Sequence, residues 1–176
     1  MFYVDKLQVI NDVAKSKINM FEECLLTSFI GIQKNNDSMA FSKADQSIDL
    51  AKEMGSLALL GLSHFNKSNI YHYYKNNPSE ALKYKLKAES YFSQTDSLVD
   101  SRINNLSSTA YIYSSFNDYE NALMYVNKAA RLLEDDVSLV VEGHTYNTLG
   151  MIYSELDNED KAFNFLKKAR QSFKKA

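Results

Sequence analysis

The chain has 176 residues, enough for one domain with a sizeable core, and its 20 basic and 22 acidic residues leave a net charge of -2. That balance argues against a generic nucleic-acid surface, and five glycines with a single proline argue against sheets joined by tight turns. The lone cysteine, Cys24, excludes an intrachain disulfide framework; the start, MFYVDKLQVINDVAKSK, carries Asp5 and Lys6 and lacks a signal-like apolar segment, and no apolar run is long enough to span a bilayer. An all-α, cytoplasmic chain is the plain expectation.

In chain order, residues 1–16 read as a partial helix or N-terminal cap, and residues 17–176 as four helical hairpins of about 40 residues each. The first hairpin is expected at 17–34 and 37–53, with Asn36 as the N-cap of its second helix and Cys24 as a small core residue. The second is expected at 56–75 and 78–94. Asn77 caps it, Pro78 takes the first helical position, and Glu80 stands where a capping box needs it. Its first helix contains SNIYHYYKNN, whose consecutive rings from Tyr71 to Tyr74 point around most of the helix. At least one tyrosine is therefore expected at a groove, a seam between repeats or an oligomer contact. The third hairpin is expected at 97–115 and 119–133 behind Asp118, and the fourth at 137–155 and 159–174 behind Asn158.

The caps align on Ala40, Ala81, Ala122 and Ala162, spaced 41, 41 and 40 residues apart. One position later stand Phe41, Leu82, Leu123 and Phe163, and seven positions later the small residues Ser47, Ala88, Ala129 and Ala169. Ten positions earlier the column reads Ile30, Tyr71, Ile112 and Ile152; twelve earlier it reads Ser28, Asn69, Ala110 and Gly150. Alternating large and small residues let paired helices approach closely. Asn69 is the misfit, and implies a looser contact or a side-chain hydrogen bond. Gly150 marks a close crossing in the last hairpin, where alanine is expected to be tolerated and leucine to overpack.

These columns resemble the tetratricopeptide repeat. The last unit carries Leu149, Gly150, Tyr153, Ala162, Leu166 and Ala169 at the family's spacing, and the third carries Ala110, Tyr113, Ala122, Val126 and Ala129. The second departs at Asn69, His72 and Lys85, the first has Gly31 where the family usually has an aromatic residue, and the period is longer than the common 34 residues. The lengthened units are similar to those of bacterial regulatory and peptide-sensing proteins. The resemblance implies an alpha-alpha superhelix, a right-handed tetratricopeptide-repeat solenoid whose first helices line a concave groove. The groove residues so implied are Asn66, Ile70, Tyr73, Asn104, Ser107, Tyr111, Ser114, His144, Asn147 and Met151. A protein or peptide is the expected partner. A structural spacer or a homodimerisation element is the alternative, with DNA-binding or kinase activity in a region outside these residues. A carboxylate clamp is not favoured, because Lys67 is the only basic residue near the groove in the second unit.

No catalytic chemistry, cofactor or metal is expected. His64 and His72 lie eight residues apart, too far along a helix to share one tetrahedral metal, and no HExxH, CxxC or phosphate loop occurs. The carboxylates Asp135 with Asp136 and Glu155 with Asp157 sit at turns, and the basic run KKARQSFKKA reads as a solvated helix face rather than a nucleic-acid contact.

Overall fold

The computed structural model describes residues 2–133 and 136–176, with side chains from residue 12 onward; Asp135 of the acidic pair lies outside them. Within these residues the chain is all-α, without strands: α1 (Phe2–Gln33), α2 (Asp37–Glu53), α3 (Leu57–Asn69), α4 (Pro78–Phe92), α5 (Val99–Ser115), α6 (Tyr119–Arg131), α7 (Leu139–Glu155) and α8 (Glu159–Lys175). The helices pack as consecutive antiparallel pairs, α1–α2, α3–α4, α5–α6 and α7–α8, the arrangement from which helical-repeat superhelices are built. Residues 2–16 continue into 17–33 as one unbroken helix.

Each second helix begins at the cap its sequence promised. The side chains of Asn36, Asn77, Asp118 and Asn158 accept from the backbone N–H of Met39, Glu80, Asn121 and Lys161 at 3.0, 3.1, 3.1 and 3.2 Å. The residue before each cap is left-handed: Asn35, Asn76, Asn117 and Asp157 have φ of 52, 47, 61 and 53°. Asparagine and aspartate tolerate this region better than other non-glycine residues, so these hairpins turn without glycine. The cap N–H then closes the turn by reaching back five residues, from Asn36 to Gly31, Asp118 to Tyr113 and Asn158 to Tyr153.

Residues up to Tyr91 form one compact unit and Phe92–Ala176 a second. The first is built on Phe21 and Cys24 of α1, Ile48, Leu50 and Ala51 of α2, and Leu60 of α3. The second is built on Ile103, Leu106 and Ala110 of α5, Ala122, Val126 and Ala129 of α6, and Val141, Leu149 and Ile152 of α7.

The second hairpin corrects the sequence alignment by one residue. After α3 the chain makes a π-helical turn, Ile70–Tyr74, and its cap bond spans six residues, from Asn77 N–H to Tyr71 O at 2.9 Å. Upstream of this inserted residue every column shifts. Ser28 Oγ donates to Ala40 O at 2.9 Å, and the matching bond runs from Ser68 Oγ to Ala81 O at 3.0 Å. The small column is therefore Ser28, Ser68, Ala110 and Gly150, and Asn69 was never its member. The isoleucine column becomes Ile30, Ile70, Ile112 and Ile152, with Ile70 fully buried against Ala40 and Ala44. Ile70 is thus a core residue and not a groove residue.

Gly150 also differs from expectation. A Cβ there would lie 2.7 Å from Leu166 Cγ and 3.3 Å from Ala162 O, so even a methyl must displace Leu166. Leu166 is partly exposed and can swing outward. Gly150→Ala should then cost up to about 1 kcal/mol, its gain in helix propensity being offset by that shift. Gly150→Leu should splay α7 from α8 and cost about 1–3 kcal/mol in urea unfolding. A leucine variant with the parent's midpoint would place this crossing elsewhere.

Candidate interaction surface

Within the second unit, α5 and α7 lie side by side and are joined by two buried hydroxyls. Thr145 Oγ1 donates to Val141 O at 3.0 Å, so Ser107 Oγ is the donor across the 3.1 Å to Thr145 Oγ1. Ser107 is therefore inaccessible: it pins the two helices together rather than lining a groove. Toward the C-terminal ends of the same helices the pair opens into a recess of about 270 Å³. Tyr111 and Ser114 enter it from α5, and Thr148, Met151 and Glu155 from α7. Spacings of three, four and seven residues put them on one face of each helix.

The recess is amphipathic. Tyr111 and Met151 are its exposed large apolar groups, and the Met151 sulfur accepts from Asn147 Nδ2 at 3.4 Å. At one end Tyr119 Oη donates to Asn117 Oδ1 at 3.1 Å, and both residues line the wall. Three expected groove residues thus converge here: Tyr111, Ser114 and Met151. Asn147 supports Met151, Asn104 is half-buried outside the lining, and His144 makes an edge-on contact with Phe173 of α8 at 5.2 Å. Sequence reasoning missed Thr148, Asn117, Tyr119 and Glu155. Thr148 and Glu155 stand three before and four after Met151, which was the available signal.

The expected groove residues of the first unit behave differently. Asn66 Nδ2 donates to Ser28 Oγ at 3.2 Å, tying α3 to α1. Of the tyrosine cluster, Tyr71 stacks on Tyr84 and tilts against Phe41 with centroids 5.3 and 5.0 Å away, and so fills the seam between hairpins. Tyr73 is 72% exposed, edge-on to His72 at 4.5 Å. Lys67 pairs with Asp45 of α2 and lies over the Tyr84 ring at 5.1 Å, which commits the one lysine a carboxylate clamp would need.

Two buried titratable groups complete the first unit. His64 is held between the rings of Tyr84 and Tyr91, 6.0 and 5.5 Å away, and its Nδ1 has no partner among the described residues. Burial, reinforced by Lys87, Lys67 and Lys52, lowers its pKa to about 4. Lys85 is fully buried, donates to Asn69 Oδ1 at 3.0 Å and lies 4.0 Å from the centre of the Phe65 ring. Burial pushes its ammonium well below the usual lysine range. Cys24 is buried in the core, with its thiol pushed up by that burial, as a packing residue would be. Among the described residues no group of His, Cys, Asp and Glu is placed to hold a metal ion, and no helix is long and apolar enough to cross a membrane.

Residues 143–176, most of α7 and all of α8, match the family model described as the tetratricopeptide repeat. No curated protein matches the chain. The last hairpin is accordingly similar to a tetratricopeptide repeat, and helical repeat modules of this type are typical of protein–protein interaction domains.

Proposed function

We propose that the chain is a protein- or peptide-binding repeat module, the sensory or interaction region of a larger cytoplasmic bacterial regulator. The observation that carries this reading is the amphipathic recess between α5 and α7. Tyr111 and Met151 offer apolar area to a side chain, while Ser114, Thr148 and Glu155 offer polar atoms to an extended backbone. The lengthened, aligned hairpins supply the regulatory setting by resemblance. Catalysis, nucleic-acid binding and membrane insertion form no part of the proposal.

The test is a fluorescence-anisotropy screen of the folded 176-residue chain against a library of unstructured peptides. Binding on the order of tens of micromolar or tighter is expected, and Tyr111→Ala and Met151→Ala should each weaken it about tenfold with unchanged thermal unfolding. No saturable binding by a folded sample would sink an independent binding module. A second reading, a dimerisation or spacer element, is favoured by one separate feature: the apolar face left open on α8.

A further inference from the structure

On α8, Phe163, Leu166, Arg170 and Phe173 recur at intervals of three, four and three residues and so share one face. In the preceding hairpins the matching positions are covered. Leu166 is 41% exposed, whereas its counterparts Ala44 and Val126 are at 0%. Phe163 is 69% exposed, whereas its counterpart Phe41 is half-buried with its ring against Tyr71 of the next hairpin. Phe173 is 42% exposed, against 0% for Ala51. Within the described residues the α8 face is therefore an open repeat seam.

The charges along that face indicate what fits it. Glu159 and Asp160 flank Phe163 in the first turn, and Lys167, Arg170 and Lys174 flank the stripe toward the other end. All five are exposed. A helix acidic at its start and basic at its end complements a copy of itself only when the two run antiparallel. A parallel copy would set like charges opposite one another.

We propose that α8 is a self-association surface, on which α8 of a second copy packs antiparallel about a two-fold axis near Leu166 and Lys167. Asp160 of each copy then faces Lys174 of the other, and Phe163 lies over the Arg170 side chain of the other. This surface is separate from the α5–α7 recess, so peptide binding and dimerisation stand or fall independently.

Sedimentation velocity of the full chain, from micromolar to near-millimolar concentration, tests it. The expected result is a monomer–dimer equilibrium that salt weakens and that Phe163→Asp abolishes. Asp160→Lys and Lys174→Glu should each weaken association at least tenfold. Mixing the two variants, or combining both changes in one chain, should restore it, because either route returns opposite charges across the axis. A parent that stays monomeric at every concentration overturns the proposal. So does association that Asp160→Lys leaves untouched, or a double variant no better than either single one, since both place the contact on another partner surface. Far-ultraviolet dichroism of each variant separates lost association from lost fold.

Discussion

His64→Phe should flatten the acid side of the stability profile. In the unfolded chain the imidazole takes a proton near pH 6.5; in the folded chain it does so only at about 4, because burial and neighbouring lysines oppose the charge. The unfolded state therefore binds more protons between those values, so stability is complete above pH 6.5 and is lost as pH falls toward 4. The loss is about 2–3 kcal/mol, on top of whatever the carboxylates contribute. Phenylalanine keeps a ring between Tyr84 and Tyr91 and removes the titration. Urea unfolding of parent and variant at pH 7.5 and 4.5 should show the parent losing more stability by that amount. Equal losses would mean that the His64 ring is hydrated or finds a partner on protonation.

Asn69→Ala should destabilise the parent by about 2–3 kcal/mol, because it strips a hydrogen-bond partner from the buried Lys85 amine. The same change in a Lys85→Met background should be nearly silent. Lys85 occupies the column of Ala44, Val126 and Leu166, so methionine of similar length suits the site, and Lys85→Met alone should be neutral or stabilising by about 1–2 kcal/mol. A double-mutant cycle read by urea unfolding gives the coupling directly. Additive effects would show that Asn69 and Lys85 do not depend on each other. Lys85, the second repeat's polar residue in an otherwise apolar column, is on this account half of a pair with Asn69 rather than a lone blemish.

The candidate surface was partly legible. Tyr111, Ser114 and Met151 converge because they follow helical spacing on helices whose register holds. Ser107 was misplaced because a serine on a helix face reads equally well as groove or as pin; the choice rests on Thr145, 38 residues away. His64 carried no signal of burial either, since its ring neighbours come from α4.

What the sequence by itself determined is the sequence of elements: hairpin starts, caps and the all-α class. Those are local properties, in which Asn36, Asn77, Asp118 and Asn158 bond to N–H groups three residues away. The small and isoleucine columns were also present in the text, one residue out of place in the second hairpin. Only the tertiary structure decided that offset. A π turn adds a residue inside a helix without altering the 41-residue period, so no spacing between caps betrays it. It is fixed by what the turn must pack against, with Ile70 on Ala40 and Ala44 and Tyr71 on Phe41 and Tyr84. The contacts with Ala40, Ala44 and Phe41 join different hairpins, and a periodic reading of one hairpin at a time cannot contain them.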